Sequence, residues 1–196
     1  MLIITIKFIK MKNKLFIIIF SVAFTFFCKA QQIYSLRSSS SELPENSYQK
    51  DTNNELGFYE GTWAGNWNNK TIYITFKKLT YKYDNLFKNY RDYLVGKFKV
   101  VDNTGKVLFD NTNLSDEDSK IEGLNFRKYN NRYTLTYVDP SLCLQGSIYL
   151  KLIEATKTQL EFKFSQTPGV IDKNCPYYNA PEMPEPLPLN IILTKQ

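Results

Sequence analysis

The sequence predicts an all-β protein, a single antiparallel up-and-down meander of about nine strands that we expect to close into a barrel. Two observations predict this fold. Apolar and polar residues alternate with a period of two in one segment after another, which places the apolar side chains of each segment on one face. Short runs of Asn, Asp and Gly separate several of these segments and favour tight turns. A convincing helical period is absent, and residues 79–92 are the one ambiguous stretch.

The alternation defines the strands in order along the chain. It is clearest in residues 71–77, where Ile72, Ile74 and Phe76 share one face while threonine and lysine occupy the other. The predicted strands cover residues 58–67, 71–79, 93–101, 106–110, 121–128, 132–138, 146–153, 159–165 and 189–194. Hairpin turns are predicted at residues 67–70, 102–105 and 129–132, where asparagine or glycine tolerates a left-handed backbone.

The connections between these strands favour a barrel. A sheet that is apolar on one face must bury that face, by closing on itself or by packing on a second sheet. Short connections favour an up-and-down barrel, which leaves no strand edge exposed. The proline-rich residues 180–188 precede the last strand, and we interpret them as an extended connection into it. A polyproline ligand for another protein is the alternative.

The first thirty residues have the pattern of a secretory signal peptide. Basic residues in 11–14 precede an apolar run from Leu15 to Phe27, and small residues, Cys28 and Ala30, occupy the −3 and −1 positions before Gln31. We expect Met11 to be the true start and cleavage to fall between Ala30 and Gln31, so that the protein is exported to the periplasm, cell surface or medium. Lipid attachment at Cys28 is the alternative, which the bulky Phe26 and Phe27 before it disfavour.

Removal of this segment changes the charge of the chain. Five lysines leave with it and no acidic residue does, so 20 of the 25 basic residues remain against 19 acidic ones. A net charge near +1 gives no basis for a nucleic-acid partner. The 13-residue apolar run is also short for a membrane span, so we expect no stable membrane insertion after cleavage.

The mature chain divides into a leader and a barrel domain. Residues 31–55 are polar and serine-rich, without apolar periodicity, and we expect them to be a flexible leader. Residues 56–196 carry the alternating segments and form the predicted β-barrel domain.

Cysteine and histidine content limit the possible chemistry. Cys143 and Cys175 remain after cleavage, and in an oxidising compartment we expect them to form a disulfide. The chain has no histidine, which excludes Ser-His-Asp and Cys-His hydrolysis and the usual zinc sites. We therefore predict no enzyme activity, no catalytic residues, no metal site and no cofactor. The acidic residues 110–118, and Asp84 and Asp92, are interpreted as solvated charges.

Two resemblances follow from particular residues. Residues 61–67 (GTWAGNW) resemble the Gly-x-Trp first strand of lipocalin-like and avidin-like barrels, which implies that Trp63 closes one end of the barrel. This Gly-Thr-Trp, residues 93–99 (YLVGKFK) and the signal ending in residues 28–31 (CKAQ) together resemble a family of uncharacterised secreted proteins from Bacteroidota-type bacteria. That second resemblance implies no activity and no functional residues.

Two aromatic residues near the first hairpin are the candidate ligand-binding residues, Trp67 and Tyr73. Outward tyrosines such as Tyr149 are further candidates for a sugar- or partner-binding surface. We expect a secreted, non-catalytic protein that binds a small apolar molecule or a glycan. The alternatives are a secreted interaction or inhibitor protein that acts through loops such as 110–120 and 176–188 on a solid barrel, and, least favoured, a hydrolase with two facing carboxylates.

Overall fold

Apolar residues form strands where their alternation predicts them. The structure is a computed structural model that describes residues 30–153, 157–167, 171 and 173–196. The predicted signal peptide, apart from Ala30, lies outside these described residues. The chain divides into two units, residues 1–32 and 33–196, and the account below concerns the second.

Eleven strands and three short 3-10 turns are present in the described residues. The strands are β1 (Ile33–Ser35), β2 (Tyr48–Lys50), β3 (Gly61–Trp67), β4 (Lys70–Asp84), β5 (Asn89–Asp102), β6 (Val107–Asp110), β7 (Ile121–Phe126), β8 (Tyr133–Asp139), β9 (Leu144–Leu152), β10 (Gln159–Gln166) and β11 (Asn190–Lys195). The 3-10 turns are Ser40–Glu42, Leu56–Phe58 and Pro140–Leu142. All nine predicted strands are therefore present, as β3 to β11.

Eight of the strands close into an antiparallel barrel. In chain order β3, β4, β5, β7, β8, β9, β10 and β11 pair with their neighbours, and the ring closes where β11 pairs with β3, as in Thr194 opposite Ala64. β5 pairs with β7 at Gly96 opposite Ile121, and β6 pairs with Lys99, Val100 and Val101 of β5. This confirms the predicted fold class, and the arrangement is consistent with a lipocalin-like barrel.

The ambiguous residues 79–92 form a ribbon, named here the β4–β5 ribbon. β4 pairs with β3 only as far as Phe76 opposite Gly61, yet it continues to Asp84. β5 begins at Asn89 and pairs with β4 along this extra length. The two strands thus extend beyond the barrel as a hairpin.

The predicted flexible leader is instead packed against the domain. β1 and β2 pair in parallel, and β2 pairs in parallel with the start of β5, Tyr48 opposite Tyr90. Leu36 and Leu56 are buried in the apolar core, and the amide of Phe126 donates to the carbonyl of Leu36 at 3.2 Å. The polar sequence of this segment hid its anchor, because the single buried Leu36 makes no periodic pattern.

Large side chains fill the barrel interior. The buried core combines aliphatic and aromatic residues from all eight barrel strands; among its largest members are Trp63, Phe76, Phe98, Tyr133, Tyr137 and Phe162. The packing is close enough that a Cβ on Gly123 would lie 2.2 Å from the hydroxyl oxygen of Tyr133. In the part of the chain that the structure describes, the interior is thus a packed core rather than an open lumen.

The leader and Trp63 cover one end of the barrel. The Trp63 side chain is fully buried, and its Nε1 donates to the carbonyl oxygen of Tyr59 at 2.8 Å. Tyr59 in turn contacts the rings of Phe126 and Tyr133, both at 6.1 Å between centroids. Leu36 and Leu56 belong to the same buried cluster. We call this the leader end.

The opposite end is covered by the connection into β11. A disulfide joins Cys143, just before β9, to Cys175, with 5.9 Å between the Cα atoms. The proline-rich segment then places Pro186, Leu187 and Pro188 in buried positions, and Leu187 joins the apolar core. Its Glu185 carboxylate lies 2.9 Å from the Lys70 ammonium group. The predicted disulfide is present, and residues 186–188 cap this disulfide end.

Candidate functional site

The two residues predicted to bind ligand are not brought together. Trp67 has the same phase on β3 as Trp63, packs against the core and lies near the disulfide end, with the Lys70 ammonium 5.4 Å from the centre of its ring. Tyr73 is opposite Ala64 on β4, out of phase with the buried Ile72 and exposed on the outer face. The two side chains therefore occupy opposite faces of the sheet and form no common site.

The acidic loop is neutralised by lysines of neighbouring strands. Asp116 lies 2.5 Å from the ammonium of Lys77 and 2.8 Å from that of Lys97. Hydrogen bonds from these two lysines lower the pKa of Asp116 to about 2. Glu117 lies 3.4 Å from Lys82. Within the described ranges no group of three Asp, Glu or Cys side chains could hold a metal ion.

Four tyrosines form an exposed aromatic group on the β4–β5 ribbon and β2, which we call the tyrosine cluster; its members are Tyr48, Tyr81, Tyr83 and Tyr90. Tyr81 stacks on Tyr90 with 4.4 Å between ring centroids and 10° between planes. Tyr48 meets Tyr81 edge-on at 4.9 Å, and Tyr83 meets Tyr90 at 5.2 Å. Half of Tyr81 and 46% of Tyr83 remain exposed. Nearby at the hairpin tip, Leu86 is 80% exposed.

A β-bulge aims Tyr81 at its neighbours. Leu79 is opposite Tyr93 and Lys82 is opposite Arg91, so Thr80 and Tyr81 together face the single residue Asp92. Tyr81 has a φ of 53°, in the left-handed region that costs free energy for a bulky side chain. Bulges of this kind redirect side chains and are enriched beside functional sites.

Asp92 holds this bulge in place. Its carboxylate accepts hydrogen bonds from the Tyr81 amide at 2.9 Å, the Tyr48 hydroxyl at 2.7 Å and the Asp51 amide at 2.9 Å. Burial and the hydrogen bond to this carboxylate raise the pKa of Tyr48 well above its ordinary value. Asp92 is only 3% exposed, so its interpretation as a solvated charge is wrong.

Asp51 ties the same region to the barrel. Its carboxylate accepts from the amides of Glu55 and Leu56 at 2.7 and 3.1 Å and from the Lys78 ammonium at 2.7 Å. The backbone that carries Tyr48 is therefore fixed on both sides, by Asp92 and by Asp51.

Arg91 secures the outer side of the ribbon. Its guanidinium is 2% exposed, lies 2.7 Å from the Asp84 carboxylate and donates to the carbonyl oxygen of Gly123 at 2.6 Å. It also pairs with Glu122 and lies 4.4 Å over the ring of Tyr93. Asp84 is thus a partner of a buried cation, and its interpretation as a solvated charge is also wrong. Together these contacts preorganise the ribbon.

Sequence reasoning missed this cluster because its residues fall in the segments without a clear period. Tyr48 lies in the polar leader, and the other three lie in the ambiguous stretch 79–92. The spacing of Tyr81 and Tyr83 did carry a signal, since two tyrosines two residues apart share one face of a strand.

The comparison with protein families places the whole predicted mature chain in one family. The model of a family of unknown function, DUF6705, matches residues 11–196. The chain belongs to the DUF6705 family. Searches of curated proteins and of solved structures each found no significant match. Membership in DUF6705 assigns no activity, so the site must be argued from the geometry above.

Membrane-spanning helices are also absent from the residues that the structure describes, where no helix has the length and apolar character to cross a bilayer.

Proposed function

We propose that this DUF6705 protein is an exported, non-catalytic interaction protein that binds a protein partner through the tyrosine cluster. The observation that carries the proposal is the packed barrel with an exposed, preorganised aromatic group at one end. Of the hypotheses drawn from the sequence, this is the alternative of a solid barrel that acts through its periphery. The β4–β5 ribbon replaces loops 110–120 and 176–188 as the binding element.

The filled interior argues against a small apolar ligand inside the barrel. Barrels that hold such ligands keep an open cavity, whereas here Trp63, Phe162 and Tyr137 are buried in the space that the ligand would need. Displacing a core aromatic residue costs several kcal/mol, roughly 3–5 for its removal. An outer surface is therefore the better place to look for binding.

The tyrosine cluster has the properties of a binding hot spot. Tyrosine is enriched in hot spots because it offers a large, rigid, amphipathic surface and loses little conformational entropy on binding. Here the rings hold one another, and Asp92 fixes both Tyr48 and the Tyr81 backbone. Preorganisation of this kind lowers the cost of association.

Export is supported by two features that do not depend on the site. The N-terminal pattern is that of a cleaved signal, and a disulfide between Cys143 and Cys175 suits an oxidising compartment. A non-catalytic role is supported by the absence of histidine and by the ion pairs that occupy Asp116 and Asp84.

The partner can be sought by site-specific photo-crosslinking in the native cells. A photoreactive phenylalanine analogue at Tyr83 should give a discrete crosslinked protein, while the same analogue at Tyr129, an exposed tyrosine in the turn between β7 and β8, should not. With the partner purified, Tyr81→Ala should weaken binding by about 30-fold, the effect of a 2 kcal/mol hot spot. Tyr129→Ala should bind as the wild type does.

A glycan is the second candidate, because the exposed face of Tyr81 suits stacking against the C–H face of a sugar. If a neutral oligosaccharide binds saturably and Tyr81→Ala abolishes that binding, the ligand of the tyrosine cluster is a glycan and the proposal of a protein partner is wrong. Trp67 and Tyr73, the residues predicted from the sequence to bind ligand, are tested in the same assay as a Trp67→Ala, Tyr73→Ala double variant. Loss of binding in this double variant, with normal binding by Tyr81→Ala, would contradict the proposal that the tyrosine cluster is the binding site.

A further inference from the structure

A second surface, separate from the tyrosine cluster, lies on the outer face of strands β8 to β11. A groove of about 350 Å³ is lined there by Arg132, Tyr149, Glu161, Lys163, Asn190 and Ile192. The strand register explains the grouping. Tyr149 is opposite Lys163, which is opposite Asn190, and the next row brings Glu161 opposite Ile192. Because these strands are paired on both sides, the groove has a rigid floor.

The groove carries an excess of positive charge. Arg132 lies 3.5 Å from Glu161, whose carboxylate is the only acidic group lining the groove among the described residues. Lys163 is exposed in the row beside it. The guanidinium of Arg127 lies 4.4 Å over the ring of Tyr149, which adds a third cation at the rim. Three cations against one carboxylate favour an anionic ligand.

The remaining lining supplies apolar and hydrogen-bonding groups. Ile192 is 46% exposed, and the partly exposed ring of Tyr149 also lines the groove. The Asn190 amide can both donate and accept hydrogen bonds, as can the Tyr149 hydroxyl. A hexuronic acid residue presents the matching groups: one carboxylate, several hydroxyls and an apolar C–H face.

We propose that this groove binds a uronate residue of an acidic polysaccharide. Arg132 and Lys163 would pair with the carboxylate, Asn190 with a ring hydroxyl, and Ile192 with the C–H face. The volume is at the lower end of the usual range for small-molecule pockets, roughly 300–1,000 Å³, which suits one or two sugar residues. A peptide strand is disfavoured, since β8 to β11 leave no free edge for main-chain pairing here.

The proposal does not depend on the tyrosine cluster. The groove is centred on β9 and β10, and β9 is four strands from β4 in either direction around the barrel. A variant of one surface should therefore leave the other unchanged, and the two proposals can fail separately.

The test is a calorimetric titration of the mature protein, residues 31–196, with trigalacturonate and with its methyl ester. The ester keeps the sugar rings but removes the charge. We expect saturable binding of the acid form, weaker binding at higher salt, and loss of binding for the ester. Lys163→Gln should weaken the acid form by at least about fivefold, because it removes a charge-assisted contact. Lys106→Gln, an equal change of charge in the exposed 103–106 turn, should have no effect.

Three results would overturn the proposal. Equal affinity for the acid and the ester would show that the carboxylate is not recognised. An equal loss in Lys106→Gln and Lys163→Gln would reduce the effect to overall charge. Binding of oligoglutamate in place of the uronate, or no saturable binding of trigalacturonate, would exclude the carbohydrate assignment.

Discussion

Two tryptophans on one strand illustrate what position decides for a single residue. Trp63 and Trp67 have the same phase on β3, so the strand period alone places them on the same face. The structure separates them. Trp63 is fully buried and its Nε1 has a partner in Tyr59, whereas the buried Nε1 of Trp67 has no hydrogen-bond partner among the described residues. The difference arises because the acceptor, the Tyr59 carbonyl oxygen, belongs to the backbone just before β3 and lies at the leader end.

This difference predicts unequal effects of the same substitution. Trp63→Phe should lower the free energy of unfolding by about 1–3 kcal/mol, because it opens a void and removes the hydrogen bond from Trp63 to the Tyr59 carbonyl oxygen. Trp67→Phe removes an N–H group without a described partner and should change it by about 0.5 kcal/mol or less. Urea denaturation followed by tyrosine fluorescence or circular dichroism measures both. Equal losses would contradict the assignment of Trp63 as the closing residue of the barrel.

At the same scale, buried carboxylates were beyond sequence reasoning. Asp84 and Asp92 sit in a polar stretch that is typical of solvated loops, yet they hold Arg91 and the Tyr81 bulge. The partners of Asp92 include Tyr48, which is 44 residues away along the chain, and Asp51, which is 41 residues away. Such contacts leave no local pattern in the sequence.

At the scale of elements, the leader is the largest difference between prediction and structure. Residues 31–55 lack periodicity because most of their side chains are solvated and only a few serve as anchors. Two three-residue strands are too short to produce an alternating pattern. Parallel pairing with β5 also requires a partner 42 residues away, as in Tyr48 opposite Tyr90. The segment is ordered by the barrel rather than by its own propensity.

Because the leader is packed, we expect stability to depend on its buried apolar side chain and not on its exposed one. Leu36→Ala should lower the free energy of unfolding by about 2–4 kcal/mol, because Leu36 is 2% exposed in the core. Ile33→Ala, three residues earlier and 57% exposed, should cost about 0.5 kcal/mol or less. Chemical denaturation of the mature protein compares the two. A flexible leader would instead make both substitutions neutral.

The proline-rich connection was predicted more closely. Residues 180–188 do lead into the closing strand, as the sequence suggested, but their role as a cap required the tertiary structure. Leu187 is buried because its side chain packs into the core at the disulfide end of the barrel, and the bond between Cys175 and Cys143 holds the preceding chain near that end. The loop that this disulfide closes spans 32 residues, which corresponds to roughly 3–4 kcal/mol in the chain-entropy description.

At the scale of the whole molecule, the titratable groups predict the dependence of stability on pH. The chain has no histidine and its described cysteines are joined, so few side chains titrate near neutrality. We expect the free energy of unfolding to be nearly constant between about pH 5 and pH 9. Chemical denaturation at a series of pH values measures this plateau.

Stability should fall on both sides of the plateau. Hydrogen bonds hold the pKa of Asp116 at about 2 and those of Asp102 and Asp110 below their ordinary value, so their stabilisation is present above about pH 4 and is lost as pH falls through the folded values. Burial raises the pKa of Tyr133 and Tyr137. Above about pH 10 the unfolded chain loses these protons first, and stability declines.

One group opposes the acid trend without reversing it. Burial raises the pKa of Glu122 despite its pairing with Arg91, so Glu122 favours the folded state at low pH. Carboxylates with a lowered pKa, namely Asp102, Asp110, Asp116 and Asp139, outnumber this one with a raised pKa. A steep change of stability between pH 6 and 8, where the histidine-free chain is expected to have a plateau, would contradict the prediction.

The sequence by itself determined strands β3 to β11, their order and the pairing of the two cysteines. These follow from local patterns, because a period of two and a turn signal act within ten residues and a meander pairs neighbours in the chain. Only the tertiary structure decided whether the barrel is filled, that the leader packs, and where the tyrosine cluster and the outer groove lie. Each of these depends on side chains that are distant in sequence and meet only in the folded chain, where β11 pairs with β3 and β2 pairs with β5, so that Tyr48 lies opposite Tyr90.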